Sequence, residues 1–104
     1  MSALEDTLAW QMQAAGLPAF ERELTFHRGR RWRFDFTYRP AMLAVEVQGG
    51  IYSGGRHTTG AGYERDAEKL NQAAIDGWRV LYVTGPMIRD GRALDTVMRA
   101  LGAS

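Results

Sequence analysis

The chain has 104 residues, 45% of them hydrophobic and 24% charged, enough for one globular domain and too few for two. Thirteen basic against twelve acidic residues leave a formal charge of +1, so no global excess announces a polyanionic partner and any basic bias must be local. The absence of cysteine excludes disulfide frameworks, thiolate-ligated zinc and thiol catalysis together. The longest apolar run is Ala41–Val45, and Met1–Asp6 lacks the pattern of a signal peptide, so the expectation is a soluble, cytoplasmic domain with no membrane partner.

Ser2 stands at capping-box spacing from Glu5, and Leu4, Leu8 and Met12 recur at helical spacing until Gly16 and Pro18, which predicts a helix over 3–15 with Trp10 in the core. Phe20–Phe26 reads as a first strand with weak alternation. The next segment has a clear period of two: Arg31, Arg33, Asp35 and Thr37 alternate with Trp32, Phe34, Phe36 and Tyr38, a strand with one apolar, core-facing side. A turn centred on Pro40 and Ala41 leads to a strand over 43–48. Residues then pair when their numbers sum to 81, which sets Asp35 opposite Glu46 on one face; a slip of one residue would separate them.

Six of the twelve glycines fall in Gly49–Gly62, which reads as a long loop. A helix over Tyr63–Asp76 is expected to pack through Tyr63, Ala67, Leu70 and Ala74 and to close at Gly77. Arg79–Thr84 reads as a strand covered on both faces, Gly85-Pro86 stops it, and Arg89–Leu101 reads as a closing helix. The connection between strands 43–48 and 79–84 is long enough for a crossover, so these two should be parallel in a mixed sheet with helices on both faces.

Two carboxylates face to face across a hairpin repel each other unless something neutralises them. A divalent cation would do so, with Asp35 and Glu46 as hard oxygen ligands for Mg²⁺; the competing reading is that Asp35 pairs with Arg31 or Arg33 on an exposed face. The unit Asp35, ten residues, Glu46-Val47-Gln48 resembles the core motif of the PD-(D/E)XK nuclease superfamily. The likeness extends over roughly residues 3 to 84: the Ser-x-x-Glu helix start, Phe34-Asp35-Phe36, Leu43-Ala44-Val45-Glu46-Val47-Gln48-Gly49-Gly50, and the block from Gly55-Arg56-His57 through Glu64-x-Asp66-x-x-Lys69-x-Asn71 to Gly77-Trp78-x-Val80-Leu81. These segments are similar to small endonuclease-like proteins of bacteria and phages related to very-short-patch-repair endonucleases and Holliday-junction resolvases.

The resemblance implies a restriction-endonuclease-like three-layer sandwich, a single endonuclease-like domain over 1–104, and a DNA endonuclease dependent on Mg²⁺ or Mn²⁺. It implies a metal set of Asp35, Glu46, Val47 and Glu5, and catalytic roles for Asp35, Glu46 and Gln48. Two positions depart from the pattern: Phe34 stands where the superfamily has proline, and Gln48 where it has lysine. Gln48 can hydrogen-bond a water but carries no charge. Lys69, the only lysine in the chain, is the candidate substitute, since a lysine stem can run along a helix surface and deliver its ammonium; the alternative is an ordinary ion pair with Asp66. His57 is a second candidate, as general acid or phosphate donor.

Six arginines lie between Arg22 and Arg39, and of these Arg28, Arg30, Arg31 and Arg33, with Arg56 and His57 from the glycine-rich loop, form the expected nucleic-acid surface. The expected partner is DNA, with a homodimer if both strands of a duplex are to be cut. The rival reading is a catalytically silent DNA-binding module that keeps the fold and lost turnover with the lysine.

Overall fold

Among the described residues, four strands form one mixed sheet in the order β1-β2-β3-β4, with β1 (Glu21–Thr25), β2 (Arg33–Tyr38) and β3 (Leu43–Val47) antiparallel in turn and β4 (Arg79–Val83) parallel to β3. The helices are α1 (Ala3–Ala14), α2 (Gly60–Ile75), α3 (Gly85–Asp90) and α4 (Arg92–Leu101), and a 3₁₀ turn covers Arg39–Ala41. The structure, a computed structural model, describes residues 2–48 and 60–103. Among them no helix is long and apolar enough to cross a membrane.

Ser2 caps α1 as its spacing predicts: its backbone is extended and its Oγ accepts the Glu5 N–H at 3.1 Å. Gly16, at φ +75°, ends the helix and lets the Leu17 N–H reach the Met12 carbonyl. The helix buries Leu8, Ala9 and Met12, whereas Trp10 is 68% exposed and does not belong to the core. Two residues beyond Leu8, a helical side chain points roughly 200° away around the axis, so one face cannot hold both.

The β2–β3 register is Phe36↔Val45, Thr37↔Ala44 and Tyr38↔Leu43, each pair summing to 81. The turn that sets it is longer than a two-residue hairpin: Pro40 sits in the 3₁₀ segment and Met42 takes φ +50°, its N–H donating to the Arg39 carbonyl at 3.0 Å. Pro40 is thus accommodated where a primed turn would reject it.

The core divides in two. Phe36, Tyr38, Leu43, Val45 and Val83 pack with Leu8, Met12, Ile88, Ala93 and Val97, on the side of α1, α3 and α4. Phe34 and Ala44 pack with Ala73 of α2, flanked by Phe26, Trp78 and Val80. Phe34 and Phe36 therefore do not share one apolar face, contrary to the plain alternation of their strand, and Trp32 is only half-buried. The lapse falls at Asp35, where the ladder passes from Arg22↔Phe36 to Leu24↔Phe34 and Glu23, between them on β1, takes φ +56°. A left-handed non-glycine residue inside a strand acts as a bulge does, re-aiming the side chains on either side.

Helix α2 begins at Gly60, within the stretch expected to be loop. It packs through fully buried Ala73 with Leu70 and Ala67 half-buried, while Tyr63, at 71% exposure, and Ala74 turn outward. The face is rotated from the expected one because small Ala73 fits against Phe34 and Ala44, which brings Lys69 onto the sheet side. Among the described residues β4 is an edge strand, and Tyr82 is 48% exposed where cover on both faces was expected. The closing segment is two helices: Thr84 caps α3 with Pro86 in its first turn, and Gly91 at φ +90° separates it from α4.

Candidate metal and nucleic-acid site

Asp35 stands where two sets of charges meet. Its Oδ2 accepts the Val47 N–H at 2.7 Å, so the side chain of one strand engages the backbone of the next. The β2–β3 ladder ends at Phe36↔Val45, short of an Asp35–Glu46 pair, yet the two carboxyl groups interact.

Glu46 is 8% exposed, and its Oε1 is in contact with the Lys69 ammonium, which also lies 5.6 Å from the centroid of the Phe34 ring. Two opposed effects act on its proton. Burial and the neighbouring Asp35 favour the neutral acid, Lys69 favours the carboxylate, and burial is the largest: the carboxyl is pushed up to about 7. Tyr82, beside Glu46 in the β3–β4 register, has its phenol raised to about 12 by burial and by the charges of Glu46 and Asp66.

On its other side Asp35 joins Glu5 and Glu23, each offering one carboxylate oxygen, all within 4.8 Å of one another; this is the one such group of three among the described residues. The capping turn of α1 positions Glu5 and the left-handed bend of β1 positions Glu23. Burial, then Asp35 and Glu23, raise the Glu5 carboxyl. Among the described residues its Oε1 is buried without a hydrogen-bond partner: Arg22 Nη2 is 3.7 Å away and donates instead to Asp6 at 3.2 Å. Three carboxylates with an orphaned buried oxygen suit a hard divalent cation such as Mg²⁺ or Mn²⁺, which takes oxygen ligands and cancels their repulsion.

Of the residues expected to form the site, Asp35, Glu5, Glu46, Val47 and Lys69 thus come together. Gln48 is half-buried just past β3, its N–H donating to the Val83 carbonyl at 2.7 Å. His57 and Arg56 lie outside the described residues. Glu23 escaped the sequence reading: it lies opposite Asp35 when 21–25 pairs with 33–37, but the weak alternation of 20–26 left that hairpin without a register.

The arginines divide by partner. Arg22 pairs with Asp6 and Glu5, Arg39 with Glu21 at 2.8 Å, Arg92 with Asp90 and Arg99 with Asp95. Arg28, Arg31 and Arg33 have no side-chain hydrogen bond or ion pair among the described residues, and Arg30 reaches Glu68 only at 3.6 Å. Arg65 and Arg89 likewise lack such a partner among the described residues, but Arg28, Arg31 and Arg33 gather at the β1–β2 hairpin, where Gly29 at φ +87° makes the tip. Comparison with protein-family models, curated proteins and solved structures found no match to this chain.

Proposed function

We propose that the protein is a divalent-metal-dependent DNA endonuclease, acting through Asp35 and its neighbours on a backbone held by the hairpin arginines. The observation that carries this reading is the Lys69 ammonium resting on Glu46 beside Asp35. A helix-borne lysine there supplies the positive charge that Gln48 lacks. The order of one helix, three antiparallel strands, a crossover helix and a parallel strand is compatible with a restriction-endonuclease-like sandwich and supports the same reading.

Asp35, Glu5 and Glu23 would hold the ion, with Glu46 and Val47 adjoining them. A bound divalent cation polarises a phosphate oxygen and lowers the pKa of a water in its shell. The remaining work falls to the chain itself. Gln48 orients the attacking water by hydrogen bonding, and Lys69 offsets negative charge developing on the phosphate. Arg28, Arg30, Arg31 and Arg33 fix the backbone without reading sequence.

The test is a cleavage panel of single-stranded, duplex, nicked and four-way-junction DNA with Mg²⁺ or Mn²⁺ and with chelator, run beside Asp35→Asn and Glu46→Ala. Metal-dependent scission lost in both variants is expected. DNA binding with neither scission nor Asp35-dependent metal uptake by the wild type would leave only the silent binding module.

A further inference from the structure

The β1–β2 hairpin carries more than positive charge. It bounds a cleft of about 390 Å³ lined by Thr25, Arg30, Arg31 and Arg33, three of the four of them cationic. Beside it the Arg30 guanidinium lies 3.8 Å over the Trp32 ring, and Phe26 continues the array, 16° from parallel with Trp32 and stacked 4.0 Å from Phe34. The Arg30 side chain is 47% exposed, so part of it is accessible to a ligand, while Glu68, at 3.6 Å, restrains its swing.

An arginine-lined cleft suits a phosphate, because guanidinium groups bind it through paired N–H donors. A flat cation stacked on an indole suits something else. It offers a π-surface to a base that is not already stacked on its neighbours, which excludes the interior of an intact duplex. The two features are adjacent, and Arg33 lies two residues before Asp35, about 7 Å along an extended strand.

We propose that the hairpin binds single-stranded nucleic acid, with a backbone phosphate in the cleft of Thr25, Arg31 and Arg33 and an unpaired base stacked on the Arg30–Trp32 pair. This deepens the nuclease reading and rests on it for the choice of nucleic acid over other polyanions. It narrows the substrate to DNA with unpaired bases, such as a flap, gap or branch, whose single strand runs along the hairpin toward Asp35.

Binding of a short labelled oligothymidylate and of a fully paired duplex, measured in chelator so that cleavage plays no part, tests it. The wild type is expected to hold the single strand about tenfold more tightly than the duplex. Arg30→Gln should remove that preference, and Arg31→Ala combined with Arg33→Ala should weaken the single-strand complex and lower its log–log salt slope by about 1.4. All three sites are exposed, so folding is not at issue; circular dichroism checks this. Equal affinity for both DNAs, indifference to these substitutions, or displacement by polyglutamate as readily as by unlabelled oligothymidylate overturns the proposal. Cleavage without single-strand preference defeats this inference alone, whereas single-strand preference without cleavage defeats the nuclease reading and leaves single-strand binding standing.

Discussion

Asp35 and Val47 are joined by a 2.7 Å hydrogen bond from the backbone N–H of one strand to the carboxylate of the other. The same carboxylate also belongs to the acidic trio and interacts with Glu46, so structure and chemistry compete for its oxygens. Two substitutions separate these roles. Asp35→Asn keeps an oxygen for Val47 and loses the charge; Asp35→Ala loses both. Chemical denaturation should show Ala less stable than Asn by about 1 kcal/mol, while both abolish metal-dependent cleavage. Equal stability would mean that the Val47 bond contributes nothing.

Lys69→Met leaves the buried Glu46 without its cation. At pH 8 this should destabilise the fold by roughly 1–3 kcal/mol, a fraction of the cost of breaking a fully buried pair. At pH 5, where Glu46 is neutral in the variant, the loss should shrink toward zero. Urea denaturation at the two pH values checks this, and cleavage should fall sharply in the same variant.

The Glu46 carboxyl gives a pH dependence of definite sign. In the folded chain it holds its proton up to about 7, against an ordinary glutamate value of 4.5. Between those values the folded state binds more protons than the unfolded one, so this contribution is fully present below 4.5 and is lost as pH rises through 7. Wild-type stability should fall by on the order of 1–3 kcal/mol across that window, and Glu46→Gln should flatten the curve. Mg²⁺ or Mn²⁺ binding should release protons near neutral pH, read by calorimetry in buffers of different ionisation enthalpy.

Glu23 is the most exposed of the acidic trio, so its charge can be removed at little packing cost. Glu23→Gln should raise the melting temperature of the metal-free protein by relieving repulsion from Glu5 and Asp35, and should weaken divalent-cation binding. A variant that melts lower and binds Mn²⁺ as tightly as the wild type would remove Glu23 from the site.

Trp10 and Phe34 offer a contrast in packing. Trp10→Ala should change stability by less than about 0.5 kcal/mol, as an exposed side chain does, whereas fully buried Phe34→Ala should cost about 3–5 kcal/mol.

The contrast also shows which parts of the fold were legible in the sequence. The β2–β3 register followed from alternation and one turn, and the parallel β4 from the length of the crossover, because both depend on local periodicity and chain reach. Trp10, Tyr63 and the split between Phe34 and Phe36 did not, because which side of a helix or bent strand is covered depends on a partner remote in sequence. In the candidate site, Asp35 and Glu46 could be singled out by residue type and spacing, and Lys69 by the resemblance to a motif whose lysine Gln48 replaces. Glu23 could not, since its place depends on a backbone angle that no pattern of hydrophobicity encodes.

That angle bears on how the molecule behaves in a crowd. Among the described residues β1 is an outer strand of the sheet, with Glu21, Glu23 and Thr25 exposed, and such an edge is a template onto which a second chain can add a strand. With Glu23 at φ +56°, the row of N–H and C=O groups along that edge is bent midway through its five residues and offers no straight run for a neighbour to match. Substitution of Glu23 by a β-branched residue that straightened the strand would remove both the bend and a charge, opening the sheet to edge-to-edge association between copies.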